Sequence, residues 1–203
     1  MTAVHLFMAW LDSALLCSMV VLWIGSRYKW QFTRMAIGVA IVSLAMLIPV
    51  HGLSLFIYVW SIIGDLSLTS KVFMIAWLLY RTGGPVLTDM KEIRFVLRAV
   101  SVIGLAFYPM ALGLTPFDPY SAGYSASILV IWTIVAATYG LRKGYSMLAA
   151  AMLASLWVYL LGGMESDNLF DYLLDPVLFL YALSFSCATL LQNRKRTKTA
   201  DQA

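Results

Sequence analysis

The sequence predicts an all-α fold: a polytopic transmembrane helix bundle of about seven helices, with the N-terminus outside and the C-terminus in the cytoplasm. Two observations carry this prediction, composition and the placement of charge. Hydrophobic residues make up 62% of the 203 positions and charged residues 12%, with a mean hydropathy of +0.84. Soluble domains average about 45–50% apolar and about 25% charged residues. The composition excludes a disordered chain, a fibrous repeat and an ordinary cytosolic enzyme.

The chain length leaves room for helices and short loops only. A spanning helix needs about 20 apolar residues, so seven helices use roughly 140 residues and no separate soluble domain fits. We therefore predict a single bundle over residues 1–192 and a basic cytoplasmic tail over 193–203. The predicted spans are residues 3–25, 35–50, 66–80, 95–113, 122–141, 145–162 and 176–191.

The first apolar run, 3–25, is predicted to be a retained helix. No basic stretch precedes it, and no small-residue cleavage site clearly follows it, as a signal peptide would require. The next run, 35–63, is too long for one simple span and is interrupted at Pro49 and Gly52. It is either one kinked helix or a span followed by a short apolar piece, 53–63. The number of spans, six or seven, depends on this stretch.

Polar segments bound the remaining spans. Asp65 is the expected N-cap of the third span. The polar loop 82–94 separates the third span from the fourth, and the turn sequence 115–120, with two prolines, ends the fourth. An acidic loop, 164–175, precedes Pro176, which suits the start of the last helix.

The distribution of basic residues predicts the orientation. Cytoplasmic loops of membrane proteins are enriched in Lys and Arg. Thirteen of the fourteen Lys and Arg residues lie in four alternate polar regions, and the exception is Lys71. Seven of the ten acidic residues lie in or toward the other loops. The basic regions, which we place in the cytoplasm, are residues 27–34, 81–98, 142–143 and 194–198.

Asp12 is the most unusual residue, because it lies about 13 Å along the first helix at 1.5 Å per residue. A carboxylate at that depth costs about 2.5–3.5 kcal/mol on insertion scales, so it must pair, bind a proton or face the bundle interior. Lys71, in the third span, is the expected partner. The pair is either an ion, proton or substrate site, or a structural contact between two helices.

A second set of candidates lies toward the outer face. His51 lies in the break between Pro49 and Gly52, where it is either a functional base or simply a hydrogen-bonded side chain. The outer acids are either a cation or catalytic site or a solvated loop that obeys the charge rule. Their spacing in 164–175 matches no calcium loop. The outer-face candidates are His51, Asp65, Asp118, Glu165, Asp167, Asp171 and Asp175.

Motifs for known enzyme chemistry and for cofactor binding are missing. The sequence has no nucleophile elbow, phosphate loop, HExxH motif or dinucleotide fingerprint. Its two His and two Cys are too few for most haem or zinc sites. We therefore expect no cofactor, no metal and no nucleic-acid partner. The expected partners are the lipid bilayer and another membrane protein or a second copy of the chain.

Three functions fit these features. The first is an integral membrane subunit that anchors, senses or scaffolds within a larger complex, and short loops with sparse chemistry favour it. The second is a small ion- or proton-coupled transporter or channel, which Asp12 and Lys71 favour. The third is an enzyme acting on a lipid or lipid-linked substrate at the outer leaflet. Very short loops and the lack of a glycosylation sequon favour a bacterial inner membrane.

Overall fold

The computed structural model describes residues 2–125 and 127–200, and of residues 193–200 it describes the backbone alone. Met1 and Ala126 of the predicted bundle, and 201–203 of the predicted tail, lie outside the described residues. The all-α prediction is confirmed, because the described chain consists of helices and one small hairpin. Seven helices have fourteen or more residues: α1 (Ala3–Arg27), α2 (Phe32–Ala45), α4 (Leu68–Arg81), α5 (Met90–Ala111), α7 (Ser127–Lys143), α8 (Ser146–Leu160) and α10 (Pro176–Ala200). Three are shorter: α3 (Leu55–Ile63), α6 (Ala122–Ser125) and α9 (Leu169–Leu173).

Two of the described helices, α1 and α5, are both long and apolar enough to cross a membrane. Three shorter helical stretches are also apolar: α2, α8 and the Pro176–Gln192 part of α10. The helix α10 continues beyond residue 191, where the sequence predicted the last span to end, and reaches Ala200.

The long apolar run 35–63 is divided by a β-hairpin. Strands β1 (Pro49–Val50) and β2 (Leu53–Ser54) pair antiparallel through a two-residue turn. Both turn residues have positive φ, 49° at His51 and 86° at Gly52, which is the backbone that tight hairpins require. The helix α3 then covers about 13 Å in its nine residues, well short of a bilayer core of about 30 Å.

Several helix starts differ from the sequence prediction: α2 begins at Phe32 and α7 at Ser127, in place of 35 and 122, and the starts of α4 and α5 differ as well. The N-cap of α4 is Ser67, whose hydroxyl accepts a hydrogen bond from the backbone N–H of Ser70 at 3.1 Å, so the prediction of Asp65 as N-cap is wrong. The helix α5 begins at Met90, five residues before the predicted start at 95. Its N-cap is Asp89, whose carboxylate accepts from the backbone N–H of Glu92 at 2.7 Å.

The helices pack as two groups that meet where α4 contacts α8. In one group α1 contacts α2, α3 and α4; in the other α5 packs on α10, and α7 packs on α8. One apolar cluster lies among α5, α8 and α10, with Val96, Leu148 and Ala182 among its buried members. A smaller cluster, including Leu68 and Tyr172, joins α4 to the segment around α9. This second cluster therefore lies beside the acidic loop 164–175, where most candidate site residues are found.

Candidate functional site

A buried ion pair joins the first helix to the third long helix. The Nζ of Lys71 in α4 lies 3.1 Å from Oδ1 of Asp12 in α1, and both side chains are almost fully buried. The other carboxylate oxygen, Oδ2, accepts a hydrogen bond from the backbone N–H of Leu66 at 3.2 Å. The structure therefore brings together the two residues that the sequence paired on depth, and it adds the chain entering α4 as a third participant.

The ion pair leaves hydrogen-bonding capacity unused. Within the described chain, neither Asp12 Oδ1 nor Lys71 Nζ has a hydrogen-bond partner of acceptable geometry, although their charges are in contact. Two hydroxyls on the same two helices, Ser18 Oγ and Thr69 Oγ1, are also buried without a partner there. An ammonium group carries three donors, and an unmet buried donor costs free energy. The contact between α1 and α4 is thus polar at Asp12 and Lys71.

Asp175 is a buried acid that ties the start of α10 to the start of α4. Its Oδ2 accepts from the backbone N–H of Ser67 at 2.9 Å, from the Ser67 hydroxyl at 2.6 Å, and from the Ser70 hydroxyl. Its Oδ1 accepts from the backbone N–H of Leu178 at 2.8 Å, in the first turn of α10. One carboxylate therefore satisfies donors at two helix N-termini, where negative charge is also favoured by the helix dipoles.

Four of the predicted outer acids line one small pocket of about 210 Å³, which we call the outer pocket. Asp65 contributes Oδ1 as acceptor for the Trp60 indole N–H at 2.8 Å and Oδ2 as acceptor for the Glu165 backbone N–H at 3.2 Å. Hydrogen bonds to both oxygens hold Asp65 in place. The acids that line the outer pocket are Asp65, Glu165, Asp171 and Asp175.

Asp171 is held by two hydroxyl groups. Its Oδ2 accepts from the Tyr120 hydroxyl at 2.8 Å and from the Ser166 hydroxyl. Burial, and then the hydrogen bond to Asp171, raise the pKa of Tyr120 above its ordinary value. The phenol therefore keeps its proton at neutral pH and acts as a donor to the carboxylate.

The other predicted outer residues do not join this constellation. His51 is exposed at the tip of the hairpin, and its side chain makes no hydrogen bond with the described residues. Asp118 is exposed and accepts from the Tyr120 backbone N–H at 2.9 Å, which closes a local turn. Asp167 is exposed as well. Across residues 2–125 and 127–192, no group of three His, Cys, Asp or Glu side chains is arranged to hold a metal ion.

Several buried polar residues escaped the sequence reasoning. Glu92 is 2% exposed, and its Oε1 accepts from the backbone N–H of Leu148 at 2.7 Å, in the first turn of α8. Asn168 is fully buried; its amide oxygen accepts from the Phe170 N–H and its amide nitrogen donates to the Tyr120 carbonyl, both at 2.9 Å. For Glu92 a signal exists, because an acceptor at Asp89 followed by Glu three residues later marks a helix start.

Comparison of the chain with protein-family models, with curated proteins and with solved structures found no match.

Proposed function

We propose that this chain is an integral membrane protein of the bacterial inner membrane that crosses the bilayer seven times, with its N-terminus outside. In this proposal the seven helices of fourteen or more residues supply the spans, the shortest being α2 and α4 at about 21 Å each, and α3, at about 13 Å, does not cross. Large apolar side chains exposed on these helices support the proposal; Val102 is 69% exposed and Ile128 72%. Exposed large apolar side chains occur on all seven of these helices, whereas soluble monomers rarely expose large contiguous apolar patches.

We further propose that it acts as a non-catalytic subunit, an anchor or scaffold within a larger membrane complex. The observation that carries this proposal is that the buried acids join helices to one another. Asp12 contacts Lys71, Asp175 caps two helices, and Glu92 of α5 caps α8. Acids whose partners lie on other helices support a structural role for these residues.

The helix α2 supports the expectation of a partner. Among its fourteen residues only Met35 is buried, and its neighbour is α1. Ile37, Ile41 and Leu44 are each more than half exposed along this helix. A peripheral helix with so little burial leaves an apolar face that is available to another membrane protein or to lipid.

A pull-down with a site-specific crosslinker tests the subunit proposal. The chain carries a C-terminal tag and a photo-crosslinking residue at Ile41, and native membranes are extracted in mild detergent. Mass spectrometry then measures which proteins co-purify and in what ratio. The matched control carries the crosslinker at Leu22, which is 2% exposed inside the fold.

A partner at near-equal ratio, crosslinked from Ile41 and not from Leu22, supports the subunit proposal. Crosslinks between two copies of this chain support self-association in its place. A chain that purifies alone and crosslinks only to lipid contradicts both forms of the proposal.

Ion- or proton-coupled transport is the second candidate, and the buried charged pair of Lys71 and Asp12 favours it. Intramembrane ionisable groups commonly mark ion or proton pathways. Purified protein in liposomes with an internal pH dye tests this function. Transport requires flux that Asp12→Asn abolishes and Asp167→Asn does not. A lipid-acting enzyme ranks third, since His51 lies apart from the hydrogen-bond network of the outer acids.

A further inference from the structure

A basic groove runs along one face of α5 at the end predicted to meet the cytoplasm. Its volume is about 750 Å³. Lys91, Arg94 and Arg98 line it at positions i, i+3 and i+7, which share one helical face. They span about 10 Å along the axis at 1.5 Å per residue. The groove therefore offers three cations in a row on a rigid element.

The groove has an aromatic and apolar wall beside its charges. The ring of Phe95 lies 5.3 Å from the ring of Tyr145, between centroids, and 5.6 Å from that of Tyr139. One turn further along α5, Ala99 and Val102 continue the wall toward the centre of the helix. The lining of the groove thus changes from charged to apolar along α5, from Lys91 toward Val102. In the proposed topology this direction leads from the cytoplasmic surface into the bilayer.

The three cations have no carboxylate partner within the described chain, where the one ion pair is that of Lys71 with Asp12. Arg94 donates from Nε to the Met90 carbonyl at 2.8 Å, which leaves its terminal nitrogens available. The nearest acid in sequence, Glu92, is 2% exposed and is held by the Thr88 hydroxyl and the Leu148 N–H. No acid of the same helix turn neutralises the groove.

We propose that this groove is a binding site for an anionic phospholipid of the cytoplasmic leaflet. The headgroup phosphate lies among Lys91, Arg94 and Arg98, with the Tyr145 hydroxyl as a further donor, and an acyl chain follows Ala99 and Val102. Basic pockets on the cytoplasmic side of membrane proteins suit phosphate headgroups in this way. The inference rests on the proposed membrane topology and is independent of the proposed partner protein.

The test measures lipid retention by the purified full-length chain with native mass spectrometry, after equilibration with phosphatidylglycerol or phosphatidylcholine. We expect retention of phosphatidylglycerol in preference to phosphatidylcholine. Arg98→Gln weakens binding about fivefold, and the triple variant Lys91→Gln, Arg94→Gln, Arg98→Gln abolishes the preference, since each basic residue near the headgroups contributes a comparable factor. Arg98→Lys retains most of the affinity, and thermal unfolding confirms that each variant is folded.

A matched control removes three cations from another cytoplasmic region, with Arg27→Gln, Lys29→Gln and Arg34→Gln in one chain. The proposal is overturned if this control loses as much lipid as the groove variant, or if phosphatidylcholine binds equally well. It is also overturned if millimolar inorganic phosphate displaces the lipid, which identifies a site for a free anion. Labelling of a cysteine introduced at Val86 tests the topology separately, so failure of the topology is distinguishable from failure of the lipid site.

Discussion

The carboxylate of Asp175 accepts two hydrogen bonds from Ser67, one from the backbone N–H at 2.9 Å and one from the hydroxyl at 2.6 Å, across 108 positions of sequence. This contact joins the last helix to the third long helix at their N-termini. Asp175 is 4% exposed, so solvent does not replace the bonds if they are lost. From the sequence, Asp175 was either part of a cation or catalytic site or part of a solvated loop; in the structure it is buried and joins two helix N-termini.

Removing this anchor lowers the stability of the protein. For Asp175→Ala we expect the free energy of unfolding to fall by about 3 kcal/mol, because hydrogen bonds to a charged group are lost and buried donors are left unmet. Asp175→Asn keeps a hydrogen-bond acceptor, so its free energy of unfolding is expected to lie between those of the alanine variant and wild type. The midpoint of thermal unfolding in mild detergent, followed by tryptophan fluorescence, measures the change. Asp167→Ala is the control, because Asp167 is an exposed acid of the same loop. An equal loss of unfolding free energy in both variants would contradict an anchoring role for Asp175.

The ion pair of Asp12 and Lys71 predicts a particular pattern in a double-mutant cycle. Asp12→Leu or Lys71→Met alone leaves one buried charge unpaired and lowers the free energy of unfolding by about 3–5 kcal/mol. The double variant leaves no charge and is expected to recover most of the loss, since apolar replacement of a buried pair is often neutral. The same thermal measurement applies to all four proteins. If the double variant loses the sum of the two single losses in unfolding free energy, the two side chains do not interact as a pair.

Substitution of Glu92 is expected to have a smaller effect on the free energy of unfolding, because its carboxylate contacts α8 through the Leu148 N–H. Glu92→Gln keeps the size of the side chain but removes the charge that faces the first turn of α8. We expect a loss of about 1 kcal/mol, as for other N-terminal caps and charge–dipole contacts. Glu165→Gln, an exposed acid of the outer loop, serves as the matched control. Unchanged unfolding of Glu92→Gln contradicts a capping role.

The sequence predicted the contact between Asp12 and Lys71 from their depth in the proposed bilayer. The apolar runs and the rise of 1.5 Å per residue indicated where Asp12 lies along its helix, and a charge at that depth requires a partner. Lys71 is the one basic residue outside the four basic regions, so the choice of partner was narrow. The structure places the two side chains in contact.

Contacts that depend on tertiary packing escaped prediction. Asp65 and Ser67 are two residues apart and both suit an N-cap, and local propensity does not choose between them. The choice falls on Ser67 because Asp175 arrives from the far end of the chain and binds its N–H and hydroxyl. The Asp89–Glu92 spacing marks the start of α5, but the contact of Glu92 with α8 was overlooked for the same reason, because it depends on α8 lying beside α5.

Close packing between α5 and α10 makes Gly104 intolerant of a larger side chain. A Cβ atom at this position would overlap the ring of Phe179. We expect Gly104→Ala to lower the free energy of unfolding by about 1–3 kcal/mol, the usual cost of overpacking. Adding Phe179→Leu should recover part of the loss by making room. If Gly104→Ala alone is as stable as wild type, or if Phe179→Leu recovers none of the loss, close contact here is contradicted.

The proposed seven-span topology predicts which loops an impermeant thiol reagent reaches in intact bacterial cells. With Cys17 and Cys187 changed to Ser, single cysteines at Asp118 and Asp167 are expected to be labelled from outside. A cysteine at Val86, which is 69% exposed in the loop before α5, is expected to react only after the membrane is permeabilised. If the segment 53–63 crossed the bilayer as a separate span, every later loop would lie on the opposite side of the membrane. A cysteine at Val86 would then react from outside, and one at Asp118 would react only after permeabilisation. If α3 does not cross the bilayer, the opposite pattern is expected.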